Sequence, residues 1–149
     1  MFSSVPSQTF SHSSSTTAPI QDVWAALDRP ETWEAIGGVD RVFDPRIDDQ
    51  GKLQGFSFET VAGGKRHTGT ASPRERVEGT TMAWHIESSE VRGTTSIDLE
   101  GDGQGTKVTV TVHVESIGFL SSMFFPVIAG ALGKGLPTAV EEFADGLGS

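Results

Sequence analysis

Between Val39 and Ser116 the side chains change character at every second position, a pattern that suits half-buried strands and no helix. Val108, Val110, Val112 and Val114 alternate with Lys107, Thr109, Thr111 and His113, giving one strand an apolar and a polar face. Met82, Trp84 and Ile86 point inward by the same rule and His85 outward. Thr95, Ile97 and Leu99 point inward, and Asp98 and Glu100 outward. Six strands are expected: Val39 to Ile47, Leu53 to Val61, Arg66 to Val77, Thr81 to Ser88, Gly93 to Glu100 and Thr106 to Ser116. Turn residues separate them at Asp48-Asp49-Gln50-Gly51, Gly63-Gly64, Glu78-Gly79, Ser89-Glu90 and Gly101-Asp102-Gly103. Such short turns dictate an antiparallel meander with one apolar face to cover.

The cover is expected from the last thirty residues, Gly118 to Leu147. Phe125, Ile128, Leu132, Leu136, Val140, Phe143 and Leu147 recur at helical spacing, opposite Glu141, Glu142 and Asp145. Earlier in this stretch Phe119, Leu120, Met123, Phe124, Phe125, Val127 and Ile128 surround the axis. They cannot all face one sheet, so some are expected to meet a loop, a ligand or a second subunit in a modest homodimer contact. Gly130, Gly133, Gly135 and Pro137 interrupt the pattern. A proline inside a helix costs about 3 kcal/mol, and a bend that follows the sheet is the expected remedy.

Before the meander, Met1 to Gln8 is rich in Ser and Pro and reads as a frayed segment or an edge extension. Thr9 to Thr16 reads as an unusually polar strand with Phe10, His12, Ser14 and Thr16 on one face. In Ala18-Pro19-Ile20-Gln21-Asp22-Val23-Trp24-Ala25-Ala26-Leu27, the proline suits a first helical position and Asp22 the positive end of the helix dipole. Ile20, Val23, Trp24 and Leu27 make its apolar face. A second short helix starts at Pro30, carries Trp33 and Ile36, and stops at Gly37-Gly38.

The length bounds the chain to one domain spanning residues 1–149. A net charge of -9 argues against nucleic acid or an anionic membrane surface as partner. The absence of cysteine removes disulfides, thiolate metal sites and cysteine nucleophiles. Met1 to Thr17 lacks the basic end and apolar run of a secretory signal, and no run of about 18 apolar residues exists to span a membrane. A soluble, cytoplasmic protein is expected.

The polar strand, the Ala-Pro-x-x-x-Val-Trp phrase at 18–24, the short helix with Trp33, the six strands and the terminal helix together resemble the START-like helix-grip (SRPBCC) superfamily. The nearest branch is the polyketide cyclase/dehydrase and lipid-transport group, and the resemblance covers Phe10 to Leu147. It implies an α+β fold: a curved seven-stranded antiparallel sheet wrapped around a long C-terminal helix, two short helices after strand 1, and an apolar cavity between sheet and helix. The glycines and Pro137 depart from the continuous helix usual in the family.

Motifs for other chemistries fail on context. Gly101-Asp102-Gly103-Gln104-Gly105 joins two strands with no helix to receive a pyrophosphate, and Gly135 stands where a phosphate loop after Gly133-Lys134 needs Ser or Thr. The four histidines lie on separate elements, so neither a metal site nor a cofactor is expected. His12 shares its face with Phe10, and His67 alternates with the small residues Gly69 and Ala71. An imidazole inside an apolar cavity can act as acid or base, which makes these two the catalytic candidates. Trp24 and Trp33 are expected in the core of the small helices. Lys65, Arg66, Arg74 and Arg76 form a solvated rim or an anchor for an anionic head group at a cavity mouth.

An apolar ligand is then expected against Phe10, His12, Phe56, Phe58, His67, Trp84, Ile97, Val110 and Val112 from the sheet, and Phe125, Ile128 and Leu132 from the helix. Gly55, Gly69 and Ala71 are expected to leave the core underfilled beside them. The leading reading is binding of a lipid-like, polyketide or other largely apolar small molecule. Cofactor-independent cyclisation or dehydration of a polyketide is the second. An interaction or assembly role through the apolar start of the terminal helix is the third.

Overall fold

The computed structural model describes residues 7–36, 39–62, 65–88, 91–116 and 136–148. Its elements run β1 (Ser7–Thr16), α1 (Ile20–Ala26), α2 (Pro30–Ile36), β2 (Arg41–Ile47), β3 (Leu53–Ala62), β4 (Lys65–Val77), β5 (Thr81–Ser88), β6 (Val91–Gly101), β7 (Thr106–Ser116) and α3 (Leu136–Gly148). The strands form one antiparallel sheet in the order β1-β7-β6-β5-β4-β3-β2. Consecutive hairpins build β2 to β7, and β1 closes the series beside β7.

The two-residue period decides which face is inside. Val108, Val110, Val112 and Val114 are all buried on β7. Their outward neighbours meet the side chains of β1: Ser13 with Thr109 at 2.8 Å, Ser11 with Thr111 at 3.2 Å, and Thr9 with His113 Nδ1 at 2.7 Å. The polarity of β1 thus belongs to an outer hydroxyl ladder as well as to its own edge position. At the opposite edge, β2 carries Pro45 and a register shift between Phe43 and Arg46, with Asp44 at φ 49. A proline and an irregularity there blunt pairing with another chain.

The two short helices lock together through α1's terminal carbonyls, which have no partner within α1. Thr32 Oγ1 donates to Ala26 O at 2.6 Å, and Trp33 Nε1 donates to Leu27 O at 2.8 Å. Val23, Leu27, Trp33 and Ile36 join the core made by the sheet's inner face. Helix α3 lies along β1 and touches α2. It buries Leu136, Val140 and Ala144 and exposes Glu141, Glu142 and Asp145, as its period requires. Pro137 is the second described residue of this helix. The expected apolar stretch Phe119 to Leu132, with its glycines and dimer contact, lies outside the described residues. No described helix is long and apolar enough to cross a membrane.

Candidate functional site

Register places the inner-face residues in rows across the strands. One row runs Phe56, Ala71, Ile86, Gly93, Val114; the next runs Pro73, Trp84, Thr95, Val112, Phe10; a third runs Met82, Ile97, Val110, His12. Phe56, Phe58, Trp84, Ile97, Val110 and Val112 all belong to the buried core, and Phe10 packs against it half-buried. Trp33 reaches down from α2 and stacks on Phe56 with centroids 6.5 Å apart. Trp84 stands edge-on to both, at 5.8 Å from Trp33 and 5.4 Å from Phe56. These are favourable ring geometries and make the aromatic cluster a rigid wall.

The chain has three tryptophans, and two donate their indole N–H to protein acceptors. Trp33 donates to Leu27 O, and Trp24 donates to Glu78 Oε2 at 2.8 Å. Trp84 Nε1 is buried and has no partner among the described residues, and the same holds for Thr95 Oγ1. The two residues are direct partners across β5 and β6.

The two candidate histidines are not brought together. His12 sits on edge strand β1, with its Nε2 3.3 Å from Glu141 Oε1 of α3. His67 is half-buried on β4 opposite Thr60, with β7, β6 and β5 between it and β1. His85 faces outward on β5, as expected. It lines an outer depression of about 520 Å³ together with Thr70, Ser72, Thr94, His113 and the Arg92–Glu115 pair, which closes at 2.6 Å. Among the described residues no group of His, Asp and Glu is disposed to hold a metal ion. Phe125, Ile128 and Leu132 lie outside the described residues.

Two glycines expected to leave room do not. A Cβ at Gly69 would stand 2.5 Å from Phe58 Cζ, because the Phe58 ring lies over its Cα partner. Gly55, at φ 149, is covered by the Arg46 guanidinium, which donates to Ala71 O at 3.2 Å. Their small size lets an aromatic ring and an arginine close on the strand.

The basic cluster also divides. Arg66 pairs with Glu59 at 3.3 Å on the surface. Arg76 instead forks onto Asp28 at 2.9 and 3.0 Å, donates from Nε to Glu78 at 2.9 Å, and lies over the Trp24 ring at 5.3 Å. Asp28 Oδ1 also accepts from the Leu53 amide at 3.0 Å, and Lys52 reaches Glu78 at 3.3 Å. Arg76 therefore ties the end of α1 to the β2–β3 and β4–β5 turns. Its hydrogen bonds to Asp28 raise its pKa further. Those from Arg76, then Trp24 and Lys52, lower Glu78 from 4.5 to about 2. The Asp48 carboxyl is lowered by the Lys52 and Gln50 amides. Arg66 and Arg74 are exposed, as a solvated rim requires, and a register shift between Pro73 and Glu75 accounts for the departure of Arg76. It reverses the alternation of β4, turning Arg76 toward Met82 and leaving Val77 49% exposed.

The fold has known counterparts. A protein from Rhizobium leguminosarum shares 21% identity with a TM-score of 0.58, over 95% of this chain and 96% of that one. A START superfamily protein from Mycobacterium smegmatis gives a TM-score of 0.59 at 10% identity, over 90% and 97% of the two chains. The di-domain ARO/CYC protein BexL of the BE-7585A biosynthetic pathway gives 0.66 at 18% identity; the match covers 96% of this chain and 50% of that one. These likenesses establish the helix-grip fold. No curated protein matches the sequence. The sequence profile of one family matches residues 7–148, nearly the whole chain, and on that match the chain belongs to the polyketide cyclase/dehydrase and lipid transport family of the START-like superfamily.

Proposed function

We propose that the protein binds a largely apolar small molecule between the inner face of the sheet and the C-terminal segment. The observation that carries this reading is the contrast between the two faces of the sheet. The inner face presents Phe56, Trp84, Ile97, Val110 and Val112 in continuous rows, while the outer face presents Ser and Thr hydroxyls. A rigid aromatic wall from Trp33, Phe56 and Trp84 suits a flat or ring-bearing ligand. Native mass spectrometry of freshly purified protein tests it. A small molecule that leaves on denaturation is the expected result. A bare chain that also fails to take up an environment-sensitive apolar dye would contradict it.

A second reading, cofactor-independent cyclisation or dehydration of a polyketide, is favoured by the His12–Glu141 contact. A carboxylate beside an imidazole orients the ring for proton transfer. Under this reading His12→Ala keeps dye uptake and loses turnover of a poly-β-ketone. Turnover unchanged in that variant removes His12 from the chemistry.

A further inference from the structure

We infer that the ligand carries a neutral hydrogen-bonding oxygen, of the carbonyl kind, and that Trp84 Nε1 and Thr95 Oγ1 receive it. This rests on the binding reading above and specifies its chemistry. The indole N–H of Trp84 is a donor only, so it requires an acceptor and is not served by a hydrocarbon or an ammonium group. Trp84 is 2% exposed and Thr95 6%, so bulk water does not supply that acceptor. Each group left unpaired is costly in a packed interior, and native interiors contain few. Here two such atoms belong to residues that face each other across β5 and β6 in the middle of the apolar rows. Trp33 and Trp24 show that indole N–H groups elsewhere in this chain are partnered.

The charge of the oxygen follows from its neighbours. Thr95 lies between Trp84 and Val112, and the adjoining row offers Met82, Ile97 and Val110. Of the nearby cations, Arg74 in the bulge beside Pro73 is exposed, and Arg76 opposite Met82 is held by Asp28 and Glu78. His12, at the end of that row on β1, contacts Glu141. A carboxylate at Trp84 would be desolvated without a counter-charge from these residues, whereas a ketone, ester or quinone oxygen needs only hydrogen bonds. The Trp84 indole donates one and the Thr95 hydroxyl a second, so both unpaired groups are satisfied by a single oxygen. Neither atom is open to solvent, so the ligand's oxygen reaches them only when the interior parts.

Three probes on one three-ring frame test this: fluorene, fluorenone and fluorene-9-carboxylate, with affinities measured by titration calorimetry. The expected order places fluorenone about tenfold tighter than fluorene, with the carboxylate weaker than the ketone. Thr95→Val should reduce the preference for fluorenone over fluorene and Trp84→Phe should abolish it, each read as the ratio of the two affinities in the same variant because the Trp84 ring also forms part of the aromatic wall. Thr95→Val changes shape least and keeps the test available if Trp84→Phe folds poorly. Equal affinity for fluorene and fluorenone in the wild type, or a carboxylate that binds tighter than the ketone, overturns this inference and leaves apolar binding standing. No uptake of any of the three overturns the binding reading itself, and this inference with it.

Discussion

The two best-defined polar regions of the molecule are built on opposite terms. Under α1, Arg76, Asp28, Glu78, Trp24 and Lys52 form a network in which every one of these groups has a partner. In the middle of the inner face, Trp84 and Thr95 are more deeply buried than any of those charges and have no partner among the described residues. Proteins retain closed networks because breaking them leaves buried charge behind, and such networks hold elements in place. Unpartnered buried groups do the reverse: they subtract from stability and are retained where something else meets them. Under the proposed function the first region is scaffold and the second is site.

The largest expected effect breaks the scaffold side. Arg76→Met leaves Asp28 against the Leu53 amide without its guanidinium. Breaking a buried pair costs about 3–5 kcal/mol. With the Arg76 and Asp28 side chains 22% and 20% exposed, a loss of about 2–3 kcal/mol is expected in urea denaturation. The same substitution at two tryptophans sharpens the contrast. Trp33→Phe and Trp84→Phe both shrink a ring in one aromatic cluster, but only the first strips a hydrogen bond from a carbonyl, that of Leu27. Trp33→Phe should cost about 1–2 kcal/mol more than Trp84→Phe.

Smaller still, Thr95→Val should stabilise the protein by about 1 kcal/mol, because it removes a buried hydroxyl that has no partner. That corresponds to a rise in Tm of about 2–4 °C for a chain of this size. The weakest effect belongs to Glu78, which is exposed. Its folded pKa of about 2 lies below the ordinary 4.5, so its contribution is fully present above pH 4.5 and is lost as pH falls toward 2. Glu78→Gln should flatten the decline of stability in that window, and added salt should weaken the difference. An unchanged acid limb would remove Glu78 from the network.

Most of the fold was legible because alternation is enforced by burial along every central strand. Val108 to Val114 on β7 and Met82 with Trp84 on β5 fix the inner face residue by residue. The α2 start at Pro30 follows equally directly from the residues. The role of Arg76 was not legible, because the register shift after Pro73 leaves no mark in the spacing of apolar residues. Nor was the filling of Gly69 by Phe58, which depends on a cross-strand register that one strand's pattern does not contain. Glu141 belongs to the solvent face of α3 by periodicity, yet it reaches His12 because the helix lies along the edge strand. At the site, Trp84 was recognisable as inward-facing. That its indole N–H is unpartnered was not, because hydrogen-bond partners come from tertiary neighbours.

The division into scaffold and site is tested most directly by the three indole N–H resonances of the 15N-labelled protein, assigned with the Trp→Phe variants and followed while fluorenone is added. The Trp84 resonance is expected to move most as its proton meets the ligand oxygen, while that of Trp24, bonded to Glu78 beneath Arg76 and away from the aromatic wall, stays in place. Saturable binding that leaves the Trp84 resonance unmoved, or that shifts Trp24 instead, would contradict that division.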